Sequence, residues 1–204
     1  MAIVLVRHGE TALNAARTVQ PFDTPISDLG YEQAVRLSRR IASEFSPAVI
    51  LSSDAPRALQ TAMPLGSALG CTVIAEPLLR ERDFGTLRGL PYDSLGFDPI
   101  SMREAPPGGE SIERFEARVR RAWGVLAEMQ ATHAAGDVIV FSHGLWIRSA
   151  LEQGFPMLKR PIADMVLANT AVTVIDCGPP LVLVLGACVA HLEEGEPPIG
   201  ISGI

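Results

Sequence analysis

Two arginines and two histidines in this sequence stand where they could handle a phosphoryl group. Arg7-His8-Gly9 follows the apolar run Ile3–Val6, and His143-Gly144 follows Val138–Ser142. Arg57 lies just beyond Ala48–Ser52, in Ser53-Asp54-Ala55-Pro56-Arg57. Guanidinium forks match a phosphate dianion and keep their charge at any working pH. One imidazole can act as a nucleophile, splitting one difficult transfer into two easier ones, while the other donates to the phosphoryl oxygens. Fixed cations also stabilise the charge that spreads over three equatorial oxygens in the transition state. Gly9 and Gly144 let the backbone approach closely, and the Gly144 amide opens a helix whose N-terminus favours an anion.

For these residues to meet, the runs before them must be neighbouring strands. Ligands of open parallel sheets bind beyond the carboxyl ends of the strands. Ile3–Val6, Ala48–Ser52, Val138–Ser142, Ala171–Ile175 and Leu181–Val189 are short and apolar, as strands covered on both faces are. Helical stripes lie between them. Ile112, Phe115, Val119, Ala122, Leu126 and Met129 form one after Ser111, with Arg114, Arg118, Arg120 and Arg121 on the solvated side. Ala34, Leu37, Ile41 and Phe45 form another after a turn at Asp28-Leu29-Gly30. A third helix is predicted from an Asp54 cap, through Pro56 in its first turn, to Gly70. The alternation predicts an α/β fold, a three-layer α/β/α sandwich around a mostly parallel central sheet. Residues 85–109, rich in Gly and Pro, read as a lid or rim. Residues 1–192 read as a single domain and 193–204 as an irregular C-terminal tail.

Composition narrows the function. With 48% hydrophobic and 20% charged residues, a chain of 204 residues can bury a full core and is not disordered. A net charge of -6 and only 5% aromatics argue against nucleic acid as a partner. Three cysteines without CxxC spacing suit reduced thiols that pack as small hydrophobes, in a cytoplasmic protein. The N-terminus lacks a basic segment, and the longest apolar stretch falls short of the roughly 20 residues that span a bilayer, so a soluble protein is expected. Neither HExxH nor GxxxxGK[ST] occurs, so no metal and no cofactor is implied.

The ordered motifs resemble one family. Leu5-Val6-Arg7-His8-Gly9-Glu10-Thr11 with Asn14 opens the series, followed by Arg17, Gln20 and Asp23–Gly30. Ser52–Ala62, Leu79-Arg80-Glu81-Arg82-Asp83-Phe84-Gly85, Gly108-Gly109-Glu110-Ser111, Ser142-His143-Gly144 and Asn169-Thr170 continue it in order. The set is similar to the histidine phosphatase superfamily, the phosphoglycerate mutase-like proteins, over about residues 2–175. That resemblance implies a phosphoglycerate mutase-like fold. It implies that His8 is the phosphorylated nucleophile, that Arg7, Arg57 and His143 hold the phosphate, and that Asn14 is a further donor. It also implies that Glu81 protonates the leaving oxygen and then deprotonates water, a role that needs a raised carboxyl pKa. Pro21 departs from the family's frequent glycine, and Arg82 and Arg88 add charge beside the acid.

The expected activity is a phosphomonoester hydrolase acting on a small phosphorylated metabolite. Alternatives are a phosphoglycerate mutase-type transferase or a catalytically weak phospholigand-binding regulatory module. Mutases of the family carry a longer insertion after the acid, whereas here one compact loop joins Glu81 to Gly108. Arg17 and Arg82, with Arg88 and Arg103, are candidates to meet anionic groups of the substrate. His133 reads as a helix-terminal residue and His191 as a surface one. The apolar C-terminal strand reads as a sheet edge that could pair in a homodimer.

Overall fold

The structure, a computed structural model, describes residues 1–133, 136–158, 162 and 164–193. Its strands are β1 (Ala2–Arg7), β2 (Pro47–Ser52), β3 (Val73–Ala75), β4 (Asp137–Ser142), β5 (Val172–Asp176) and β6 (Val182–Cys188). The helices are α1 (Ala12–Ala15), α2 (Asp28–Glu44), α3 (Pro56–Leu69), α4 (Ile112–Thr132) and α5 (Gly144–Gly154). The strands form one sheet in the order β3-β2-β4-β1-β5-β6. The pairings β2–β3, β2–β4 and β1–β4 are parallel, and β5 and β6 join antiparallel.

Alternation along the central strands divides the apolar side chains between two cores. Ile3 and Leu5 of β1 and Val138 and Val140 of β4 join Phe115, Val119 and Leu126 of α4 and Trp146 and Ile147 of α5. Val4, Val6, Ile139 and Phe141 point the other way, onto Leu37 and Ile41 of α2 and Ala62 and Leu65 of α3. Successive side chains of a strand face opposite sides, so an unbroken apolar run is what a doubly covered strand requires. The α/β/α sandwich follows. Register then aligns the strand ends: Arg7 lies opposite Ser142, and Ser52 opposite Phe141. His8, His143 and Ser53 each come one residue later, at the same edge.

Local structure departs from expectation at several points. Asp28-Leu29-Gly30 is not a turn ahead of α2 but its first turn, capped by the Ser27 hydroxyl, which accepts from the Gly30 amide. Asp28 is thereby placed where a carboxylate suits the helix dipole. A Cβ at Gly30 would overlap the Glu10 carbonyl oxygen, and one at Gly9 would lie 2.7 Å from the Gly30 oxygen. The two glycines let α2 start directly beneath the loop that carries His8. Helix α3 is capped by Ala55 without a side-chain bond rather than by Asp54. The Asp54 carboxylate instead takes a forked pair from Arg80, whose Nε lies 2.6 Å from Oδ1. Strand β3 carried no legible signal, being three residues long with an exposed Ile74. β6 lies at the sheet edge, with Val182 and Val184 exposed. Of the expected irregular tail, residues 194–204 lie outside the described residues. No helix among the described residues is long and apolar enough to cross a membrane.

Candidate active site

His8 directly follows β1, its amide donating to Ser142 O at 2.9 Å. Its Nδ1 lies 2.7 Å from the Gly9 carbonyl oxygen. A carbonyl can only accept, so Nδ1 carries the proton and Nε2 presents a lone pair. The ring is 3% exposed. Burial first, and then the Arg57 and Arg7 charges, push its pKa well below the usual 6.5, so it is a neutral base. The Gly9 amide donates to Thr61 Oγ1 of α3 at 2.8 Å, tying this loop to the helix that carries Arg57.

Arg57 donates from Nε to His143 Nδ1 at 3.2 Å and from Nη1 to the Pro21 and Phe22 carbonyls. Since arginine has no acceptor, His143 Nδ1 must be unprotonated, and its Nε2–H donates to Ser53 Oγ at 2.9 Å. The sequence reading, with an imidazole donating to phosphate, did not foresee that both ring nitrogens are engaged in this way. Burial, then Arg57, His8 and Arg7, hold the His143 pKa well below its usual value. The two imidazole centroids are 5.2 Å apart. Arg7 donates from Nη1 to Leu167 O. Its buried Nε has no hydrogen-bond partner among the described residues. Burial lowers the Arg57 pKa to about 10 and lowers that of Arg7, with Glu81 opposing the shift in both.

Glu81 sits against the first turn of α5. Its Oε1 accepts from the Arg82 amide at 3.0 Å and the Trp146 amide at 3.2 Å, and Oε2 from the Leu145 amide at 3.0 Å. The carboxyl group thus caps a helix whose own N-cap, His143, makes no side-chain cap bond. Burial raises its pKa above the usual 4.5, against the opposing pull of the Arg82 and Leu145 amides and of Arg57 and Arg7. Three side chains fix its segment. Arg118, 14% exposed, donates to the Leu78, Arg80 and Glu81 carbonyls and pairs with Glu110. Trp146 Nε1 donates to Leu78 O, and Ser142 Oγ to Leu79 O. Arg118 is therefore not part of a solvated helix face. Its place just off the apolar stripe of α4 was the only sequence signal that it could reach the site.

Arg7, His8, Arg57, Glu81 and His143 line one cavity of about 450 Å³, together with Asn14 and Gly144. Asn14 Oδ1 accepts from Asn169 Nδ2, which also donates to His8 O, a role for Asn169 that residue type alone did not reveal. A Cβ on Gly144 would make only ordinary contact with Arg7, so close approach is not what glycine supplies there. Arg82 borders the cavity but is 3% exposed, and its Nε, Nη1 and Nη2 donate to the Glu110, Met102 and Glu104 carbonyls. It braces the covering loop instead of reaching for substrate. Arg17, its side chain 72% exposed, pairs with Asp93 outside this cavity. Arg88 and Arg103 pair with Asp83 and Glu113. Tyr92 and Phe84, which the sequence reading did not single out as site residues, line the wall. His191 is half-buried rather than fully exposed: it meets Thr170 Oγ1 at 2.9 Å, and burial first, then Arg40, lowers its pKa to about 4.

The profile of the histidine phosphatase superfamily, branch 1, matches residues 3–181. Phosphoglycerate mutase-like protein 4 of Arabidopsis thaliana is 32% identical, over 94% of this chain and 87% of that protein. The metal-independent phosphoserine phosphatase of Arabidopsis thaliana is 35% identical, over 72% of this chain and 66% of that protein. Among solved structures, a mycobacterial glucosyl-3-phosphoglycerate phosphatase complexed with VO3 aligns with a TM-score of 0.79 and 26% identity. That alignment covers 91% of this chain and 98% of the other.

Proposed function

The chain belongs to the histidine phosphatase superfamily and is a phosphomonoester hydrolase, and we propose that it works through a covalent phosphohistidine at His8. One observation carries this reading: a neutral His8, with Nδ1–H spent on Gly9 O, turns its Nε2 lone pair to a cavity shared with the buried Arg57, the half-buried Arg7 and Glu81. The dianion is received between Arg7 and Arg57, and the partnerless Arg7 Nε is one of its donors. Nε2 attacks phosphorus as the bond to the leaving oxygen breaks, and the Glu81 carboxyl proton passes to that oxygen. The Glu81 carboxylate then takes a proton from water, whose oxygen attacks phosphorus. The N–P bond breaks, inorganic phosphate leaves, and His8 and Glu81 return to their starting states. The arginine charges stabilise both transfers. His143, polarised between Arg57 and Ser53, holds the Arg57 guanidinium in place for them.

Water, rather than a second phosphoglycerate, is the acceptor in this reading. A compact cover supports it: the segment after Glu81 folds back through short helical turns at Gly85–Leu87 and Tyr92–Ser94 to the start of α4. The substrate is a small phosphorylated metabolite. A cytoplasmic setting accords with the free thiols of Cys71, Cys177 and Cys188. The test is stereochemical. Hydrolysis of a phosphomonoester made chiral with oxygen isotopes should proceed with net retention at phosphorus, since two displacements each invert it. Net inversion would mean that water attacks directly and would remove His8 as the covalent nucleophile.

A further inference from the structure

Resting on the phosphatase reading, we propose that the released alcohol has an apolar body without negative charge, and that Asp164 on the outer wall selects against carboxylate-bearing esters. The cavity has two chemically different ends. Its phosphoryl end is built from Arg7, His8, Arg57, Glu81 and His143. The rest of its lining, against which the alcohol must lie, includes Phe84, Tyr92, Ile100, Met165, Val166 and Leu167, with Asn14 and Gln20 as uncharged polar members. Apolar atoms of a substrate gain free energy by leaving water for such a wall.

Among the described residues, cations that could greet a second anionic group are committed elsewhere. Two more arginines border the cavity, and both serve the backbone. Arg82 donates from all three nitrogens to loop carbonyls. Arg148 donates to Ile162 O at 3.2 Å and Met165 O at 3.1 Å, which holds the segment bearing Met165 and Val166 against the cavity. Arg17 lines an adjoining cleft that shares Arg7, Asn14 and Tyr92 with this cavity, but there it pairs with Asp93 and has Asp98 beside it, and Arg88 pairs with Asp83. Among the described residues, the remaining ionic group that lines the cavity is the exposed Asp164. A carboxylate on the leaving alcohol would meet apolar side chains and a like charge, and would give up water for neither. An uncharged end meets no such penalty, and an ammonium end finds a counter-charge. The phosphoryl arginines do not help, because the phosphate itself uses them.

The test compares three esters with the same leaving CH2–O group: pentyl phosphate, 5-aminopentyl phosphate and 5-(phosphonooxy)pentanoate. Leaving-group chemistry is matched, so differences report the outer wall. The pentanoate ester should have a kcat/KM lower than pentyl phosphate by on the order of tenfold or more, mostly in KM, because like charges in one cleft repel. Asp164→Asn should narrow that ratio, and Val166→Lys should narrow it further by supplying the missing cation. A pentanoate ester turned over as well as pentyl phosphate, or a ratio untouched by Asp164→Asn, overturns the inference and leaves the phosphatase reading intact. No phosphate from any of the three, with p-nitrophenyl phosphate inert as well, overturns both.

Discussion

Replacing Glu81 by glutamine removes the titratable proton while keeping the size of the side chain, and the structure says what each atom would then do. The carboxyl accepts from three amides: those of Arg82 and Trp146 at Oε1, and that of Leu145 at Oε2. A glutamine would keep its oxygen on the pair and turn its NH2 toward the Leu145 amide, donor against donor. An unsatisfied buried amide costs about 1–3 kcal/mol. For a chain of this length that is a fall in Tm of roughly 2–12 °C, at about 2–4 °C per kcal/mol. The fold survives such a loss, so activity can be compared. Without a proton donor, first-turnover release of the alcohol from an alkyl phosphate should slow by about 10²–10⁴-fold, the usual worth of general acid catalysis. p-Nitrophenolate leaves without protonation, so its first-turnover release, which precedes the step in which Glu81 activates water, should slow by no more than about tenfold. Burst measurements of alcohol release from both esters and a thermal melt make up the assay. Equal losses on the two substrates would show that Glu81 caps α5 and positions the site but gives no proton.

Other perturbations probe the surroundings. Arg118→Met removes the bonds to the Leu78, Arg80 and Glu81 carbonyls and leaves Glu110 unpaired. It should cost roughly 2–3 kcal/mol in denaturant unfolding and also lower kcat/KM, whereas Arg121→Ala on the same helix should stay within about 0.5 kcal/mol. Acid should destabilise the fold. His8 and His143 are held well below 6.5, so the unfolded chain binds protons first as pH falls through that value. Their contribution is present above pH 6.5 and is lost below it, with a slope approaching about 1.4 kcal/mol per pH unit for each imidazole. Unfolding curves between neutral and mildly acidic pH measure this, and a flat profile would contradict the buried neutral pair. Activity should persist in EDTA, since arginines neutralise the phosphate; loss on chelation with recovery on adding a divalent ion would refute that.

The strands that carry His8, Ser53 and His143 were legible because a strand covered on both faces must be apolar throughout, a demand that few other elements share. The edge strand β3, half exposed and three residues long, makes no such demand. Long-range pairing hid the rest. Asp54 reads as a cap because Asp caps helices, yet Arg80, twenty-six residues on, claims its carboxylate. Arg82 reads as a substrate contact because a charge beside the acid suggests one. Its partners are backbone carbonyls of a loop, and carbonyls leave no mark in a sequence. The periodicity of α4 placed Arg118 off the stripe, correctly, but could not say that the segment before Glu81 runs along that flank. Glu81 itself came from family resemblance, for no strand or helix pattern points to it.

The most direct test is to find the phosphoryl group on His8. Wild-type protein mixed with a radiolabelled alkyl phosphate and quenched in base within the first turnover should carry label that acid releases and base does not. Peptide mapping should place it on His8, and His8→Ala should stay folded, unlabelled and inactive. Label resting on a serine or an aspartate, or undiminished labelling of His8→Ala, would contradict the account at its centre.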